Sequence, residues 1–366
     1  MPKNIVICCD GTGNEFGDKN SSVVKLYSVL VQDPQAQIAY YHPGLGTMGA
    51  PTALSKLAQW WTKVKGLAFG YGLATDLGDS YAYLMETYQP GDAVFIFGFS
   101  RGAYMARALA AMLHMYGLLE PGNEALIRYI TRLFRSHSEE TFALAARFKA
   151  TFSRPCKPRF LGVWDTVSSV GWVYNPVKLP YTAMNPDISL VRHAVSIDER
   201  RAMFRQNLWS KPSPGQDVKQ VWFAGVHSDV GGGYAENECG LSKIALDWML
   251  TEAASAGMRV DAAKKNRVLG VTDSAQAKPD PAAALHKSLH GFWWLLELWP
   301  KRYWDVTSTP PGYRWKWPLG RPRYIAPGSL VHTTVIARMN SVPTYRPPNL
   351  PQDYQATPDI AQAVAS

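Results

Sequence analysis

The sequence predicts an α/β protein built on a mostly parallel sheet flanked by helices, and three observations lead there. Short, apolar, β-prone runs recur at residues 4–9, 93–97, 160–164 and 221–226. They are continuous rather than alternating, as strands buried on both faces are. Helix-patterned segments lie between them, and every run stops at a small or polar cluster. Alternating strands and helices give a doubly wound sheet whose ligands bind beyond the carboxyl ends of the strands. All four polar clusters fall at such ends, so one site is expected there.

Taken in order, 4–9 runs into Asp10-Gly11-Thr12-Gly13-Asn14. Residues 76–88 place Leu77, Tyr81, Leu84 and Tyr88 at helical spacing before Pro90-Gly91 stops the helix. The next strand leads into Gly98-Phe99-Ser100 and an Ala-, Leu- and Met-rich helix at 101–115, with Gly117 as its stop. The strand at 160–164 ends at Asp165-Thr166, that at 221–226 ends at His227-Ser228-Asp229, and 242–256 reads as a helix. From about 258 the character changes. Residues 264–281 are polar and loop-like, and 291–324 carry Trp293, Trp294, Trp299, Trp304, Trp315 and Trp317 among prolines and arginines. The expected organisation is one domain at 1–350, its stretch 258–350 a Trp/Pro-rich C-terminal elaboration suited to a lid or cap. A polar, Ala-rich flexible tail is expected at 351–366.

Composition narrows the class. With 366 residues, 46% hydrophobic and 18% charged, the chain can bury a sizeable core. No apolar run is long enough to span a bilayer, and the start lacks the order of a signal peptide. The expectation is a cytoplasmic protein, or one exported without a leader. Cys8, Cys9, Cys156 and Cys239 have neither disulfide-framework nor zinc spacing and read as reduced core thiols. The net charge of +9 favours an anionic partner. No nucleic-acid module with the expected pattern of basic and aromatic residues is found, and charge alone does not identify the partner. The tryptophans fit an anionic membrane surface, although the simpler reading is that they pack over the sheet.

Gly98-Phe99-Ser100-Arg101-Gly102 matches the nucleophile elbow G-x-S-x-G. The serine sits on a tight strand-to-helix turn, so its neighbours two residues away must be small. The helix that follows points its free N–H groups at a developing oxyanion. The backbone N–H of Arg101 supplies one donor, and Gly11 and Thr12, after the first strand, are candidates for the second. Asp10 and Phe99, beside these turns, are assigned to substrate contact. A phosphate-binding loop at 10–14 is disfavoured because its glycine and lysine pattern is incomplete.

A serine nucleophile needs a base, and the base needs a carboxylate to orient it, in the chain order Ser, Asp, His. His227 ends a strong strand and precedes a glycine-rich loop; His332, which also begins a β-prone run, is its competitor. Asp165 has the right place and order, with Asp198 and Asp229 as alternatives. Such chemistry requires no metal or cofactor, and none is expected.

The combination of Cys9-Asp10-Gly11-Thr12-Gly13-Asn14, Gly98-Phe99-Ser100-Arg101-Gly102-Ala103, Gly162-Val163-Trp164-Asp165-Thr166-Val167, Asp198-Glu199-Arg200-Arg201 and the run 223–233 resembles one α/β-hydrolase family. That family contains the first class of type VI secretion lipase effectors. The resemblance covers roughly 3–350, including Tyr345-Arg346-Pro347-Pro348-Asn349-Leu350. It implies a Ser100-Asp165-His227 triad and ester hydrolysis, with phospholipid as the effectors' substrate. The expected partners are a lipid or ester and an anionic membrane; no immunity or secretion partner is identified. Alternatives are an acyltransferase or small-ester esterase using the same triad, or a binding protein that kept the fold.

Overall fold

Side chains of β1 (Asn4–Cys9) alternate between two apolar layers: Ile5, Ile7 and Cys9 enter one, Val6 and Cys8 the other. Because both layers are occupied, the strand reads as a continuous apolar run. In this computed structural model the described residues are 2–11, 17–44, 70–136, 139–167, 171–172, 175–176, 179–291, 293–305, 309–310 and 312–358.

Seven further strands join the first: β2 (Gln37–His42), β3 (Ala93–Phe99), β4 (Phe160–Trp164), β5 (Leu190–Ser196), β6 (Asp217–Phe223), β7 (Leu330–His332) and β8 (Gln355–Thr357). Their spatial order is β8-β7-β6-β5-β4-β3-β1-β2, and every neighbouring pair is parallel. One face is covered by α2 (Gly70–Thr87), α3 (Arg101–Tyr116), α4 (Glu124–Phe134) and α5 (Glu139–Phe152). The other is covered by α1 (Ser22–Ser28) and α7 (Gly240–Ser255). Between β6 and α7 lies the short α6 (His227–Gly231), and α8 (Trp293–Glu297) and α9 (Thr333–Ser341) belong to the C-terminal elaboration. This is the α/β-hydrolase-like arrangement expected, a parallel sheet flanked by helices.

From β1 the chain steps to β2 on one side and then to β3 on the other. That reversal makes the carboxyl ends of β1 and β3 the switch point of the sheet, the position where such sheets bind ligands. The segment 351–358, expected in a flexible tail, instead supplies β8, because Leu330, Val331 and His332 offer an open edge to Gln355, Ala356 and Thr357. Residues 359–366 lie outside the described residues. The strand expected at 221–226 begins earlier and ends at Phe223, leaving 224–226 to carry the chain to His227.

The two glycines of the elbow are explained by contacts of backbone on backbone. A β-carbon on Gly102 would lie 2.3 Å from the carbonyl oxygens of Cys9 and Asp10, and one on Gly98 would lie 2.4 Å from the Gly102 carbonyl. Neither neighbour is a flexible side chain that could swing away. Gly102→Ala is expected to destabilise the protein by about 1–3 kcal/mol in urea unfolding. A loss below roughly 0.5 kcal/mol, the scale of an ordinary surface change, would show that the contact relaxes freely.

Candidate active site

Ser100 stands between β3 and α3 with φ 59° and ψ −119°, in the left-handed half of backbone space. A non-glycine residue there costs about 1–3 kcal/mol and persists where surrounding structure enforces it. Here Ser100 N donates to the Trp164 carbonyl at 3.1 Å, and Gly98 and Gly102 allow the turn to close. Ser100 caps α3 by position but makes no side-chain cap bond. Its Oγ lies instead 2.8 Å from His227 Nε2. The first amides of α3, Arg101 N–H among them, are left without helical acceptors.

His227 begins α6 and is 4% exposed. Its Nδ1 lies 2.5 Å from Asp165 Oδ2, so the partners assign Nδ1–H as donor to the carboxylate and Nε2 as acceptor from Ser100 Oγ. The ring is held between Phe99, at 4.6 Å between centroids, and Phe204, edge-on at 4.8 Å. Burial holds His227 below the ordinary histidine value, while the hydrogen bond and charge of Asp165 pull it back part way.

Asp165 follows β4 and is completely buried, at φ 37°. Burial alone would raise its pKa. Burial is the largest single influence, but the Arg323 guanidinium and the His227 contact together outweigh it and hold the carboxyl well below the usual carboxylate range. Ser196 donates to Asp165 Oδ1 through its amide at 2.9 Å and its hydroxyl at 3.1 Å.

Glu199, also fully buried, props the histidine loop. Its Oε2 accepts the His227 amide at 3.2 Å and Arg201 Nη2 at 2.9 Å, and its Oε1 accepts the Arg200 and Arg201 amides and Ser288 Oγ. Arg201 in turn lies 3.6 Å over the Phe204 ring. The alternatives for the acid are occupied elsewhere. Asp198 accepts from the Gly225 amide and Tyr345 hydroxyl, and Asp229 from the Val226 amide and His286. The competing histidine, His332, is buried as the N-cap of α9 and stacks on Phe223.

The remaining expected residues divide. Gly11 N–H donates to Asp10 Oδ1 at 2.6 Å, so in this structure that amide is engaged by the neighbouring carboxylate. Thr12 lies outside the described residues. Asp10 is fully buried and accepts from Ser21 Oγ at 2.7 Å and Tyr41 hydroxyl at 2.8 Å, contacts that anchor the loop after β1. Phe99 packs under Gly231 and His227, its ring 1.9 Å from where a Gly231 β-carbon would stand. The Arg101 side chain makes no hydrogen bond or ion pair among the described residues, and burial pulls its pKa down to about 10. Sequence reasoning missed Arg323 as a partner of the site, since it sits at no strand end in a recognisable spacing.

Among the described residues, His42, Asp76 and Asp79 form the one group whose ligand atoms fall within 4.8 Å of one another. His42 Nδ1 accepts the Gly44 amide at 3.2 Å, which leaves Nε2 protonated and facing Asp76 Oδ1 at 3.6 Å. The tryptophans depart from the packing expectation. Trp294, Trp299, Trp315 and Trp317 are 47–61% exposed, whereas Trp293 is half-buried with its ring 5.4 Å from Phe204. The Trp304 side chain lies outside the described residues. No helix among the described residues is long and apolar enough to cross a membrane.

The fold and the elbow define an α/β-hydrolase-like protein. The chain belongs to the family described as the type VI secretion phospholipase effector Tle1-like catalytic domain, which matches residues 3–252. It is also 36% identical over 220 residues to the uncharacterized protein YEL023C of Saccharomyces cerevisiae, a match covering 56% of this chain and 32% of that protein. This chain therefore spans about a third of that relative's length. Among solved structures it is similar to an uncharacterized protein from Pseudomonas aeruginosa, with TM-score 0.41, 22% identity, and coverage of 71% of this chain and 46% of that one. The Tle1 effector bound to the VgrG spike of the type 6 secretion system gives TM-score 0.36 and 20% identity, over 66% of this chain and 53% of that one. The family match, rather than either superposition, carries the assignment.

Removing Glu199 would strand buried donors and the Arg201 charge. Glu199→Ala is expected to cost about 3–5 kcal/mol, the scale for breaking a buried ion pair from one side. Denaturant midpoints of the two proteins measure it, and a change under about 1 kcal/mol would mean the loop holds without that carboxylate.

Proposed function

We propose that this protein hydrolyses carboxylic esters of phospholipids with Ser100 as nucleophile, His227 as base and Asp165 as the acid that orients it. The observation that carries this reading is the continuous chain from Ser100 Oγ to His227 Nε2 at 2.8 Å and from His227 Nδ1 to Asp165 at 2.5 Å. Family membership supports lipid as the substrate class.

In this reading Ser100 Oγ attacks the acyl carbonyl while His227 Nε2 takes its proton. Asp165 fixes the productive tautomer and stabilises the imidazolium that forms. The Arg101 N–H, at the amino end of α3, is the donor assigned to the developing oxyanion. Collapse of the tetrahedral intermediate expels the alcohol, protonated by His227, and leaves an acyl-Ser100 ester. Water activated by His227 then releases the fatty acid. Asp10 holds Ser21 and Tyr41, and Phe99 backs the imidazole.

The exposed aromatics give this enzyme a surface suited to lipid. Trp315 and Trp317 alternate out of a hairpin (301–305 with 312–316) and its exit, beside exposed Arg314 and Arg321. Tryptophan favours the headgroup region and the cations favour anionic lipid. Trp293 packs edge-on against Phe204, which in turn packs edge-on against His227.

Fatty-acid release from anionic phospholipid vesicles tests both parts. Ser100→Ala is expected to lose at least about 10³-fold of the wild-type rate. The double variant Trp315→Ala/Trp317→Ala is expected to lose activity on vesicles while keeping it on a soluble short-chain ester. Equal activity in wild type and Ser100→Ala would overturn the nucleophile; equal losses on both substrates would overturn the surface.

A further inference from the structure

The acid of the proposed triad holds a cation that the mechanism above does not use. Arg323 Nη1 donates to Asp165 Oδ1 at 2.5 Å, and Nη2 donates to Oδ2 at 3.0 Å. Two parallel contacts are the fork geometry that only a guanidinium offers a carboxylate. Nη1 also donates to the Ser196 carbonyl at 3.1 Å and hydroxyl at 2.6 Å, and Nη2 to the Phe204 carbonyl. The Arg323 side chain is 5% exposed and that of Asp165 is 0%. Asn349, in the late Tyr-Arg-Pro-Pro-Asn-Leu segment, clamps this arginine's backbone by donating to the carbonyls of Arg323 at 2.9 Å and Ile197 at 3.1 Å.

Stability alone is a weak reason for such a pair. Burying two charges is costly, apolar replacements often do as well, and Arg323 Nε is left without a partner. The position is also unexpected, since residue 323 lies beyond the 3–252 stretch that matches the family's catalytic domain. What distinguishes the contact is that Asp165 Oδ2 is shared between His227 Nδ1 and Arg323 Nη2. The guanidinium therefore dictates how the carboxylate presents itself to the imidazole.

We propose that Arg323 is a positioning residue: it locks the plane of Asp165 for His227, and its charge offsets the carboxylate so that His227 stays neutral until Ser100 reacts. This rests on the triad reading, with the C-terminal elaboration completing a site whose other members lie inside the family domain. The charges around His227 come from several elements. Asp165 follows β4, Glu199 and Arg201 follow β5, and Arg323 acts from the C-terminal segment through Asp165. Asp229, on α6 itself, is turned to His286 and the Val226 amide. Removing Arg323 leaves Asp165 uncompensated beside the ring, which favours the imidazolium. The sign is then fixed: the His227 pKa rises, and the pH below which the base is lost moves upward.

The test is an NMR titration of histidine-labelled full-length protein, with His227 assigned by His227→Gln, alongside the pH dependence of fluorophosphonate labelling of Ser100. In Arg323→Gln the His227 titration is expected to move up by about one unit or more, with the acid limb of labelling moving in parallel. Arg323→Lys keeps the charge but loses the fork. It is expected to titrate near wild type yet label at least about tenfold more slowly. An unmoved His227 in folded Arg323→Gln, or wild-type labelling by Arg323→Lys should the glutamine variant not fold, overturns the proposal. A shifted His227 with no labelling of wild-type Ser100 leaves the clamp standing and overturns the hydrolase reading instead.

Discussion

The first turn of α3 presses on the carbonyl oxygens that end β1, and a residue with a β-carbon cannot stand there. Gly102 meets the carbonyls of Cys9 and Asp10, and Gly98 meets Gly102 from the other side. This backbone contact sets the rest of the site. With the helix held against the sheet, the chain can leave β3 only through a sharp turn, and Ser100 takes the left-handed conformation at its apex. That conformation aims Oγ at His227 instead of back onto the helix amides, which stay available for a developing negative charge. One packing constraint thus sets both the direction of Ser100 Oγ toward His227 and the freedom of the helix's first amides.

A second layer of the structure is electrostatic and reaches in from the chain's far end. Asp165 and Glu199 are buried carboxylates, and each is matched by an arginine, Arg323 and Arg201. A carboxylate buried without such a partner would take up a proton rather than stay ionised. The residues that close this network come from after position 285: Ser288 on Glu199, Glu297 on the Ala202 amide, and Arg323 on Asp165. The C-terminal elaboration is therefore structurally continuous with the site. Its exposed aromatic surface and its buried cation belong to one segment of the chain.

Much of this was legible in the sequence because it followed from local pattern. β1, β3 and β4 are buried on both faces and appear as unbroken apolar runs, and the elbow is written in five consecutive residues. The strands less visible in the sequence are those whose environment is mixed. β2 is an edge strand with its middle half-buried, and β5 interrupts its apolar run with Arg192 and His193, which tertiary partners such as Glu252 and Gln220 make tolerable. Gly11 is a different case. Its glycine was visible, but the reach of the Asp10 side chain onto its amide was not. Arg323 was hidden for the plainest reason: a contact spanning 158 residues leaves no trace in spacing.

The proposed chemistry depends on Ser100 being a nucleophile made reactive by His227. Its most direct test is covalent: expose the full-length protein to a fluorophosphonate, digest it, and locate the adduct by mass spectrometry in wild type and His227→Gln. Stoichiometric modification at Ser100 is expected in wild type, with a rate at least about 10³-fold lower without the imidazole. Modification at another residue, or at Ser100 with equal speed in both proteins, would contradict it.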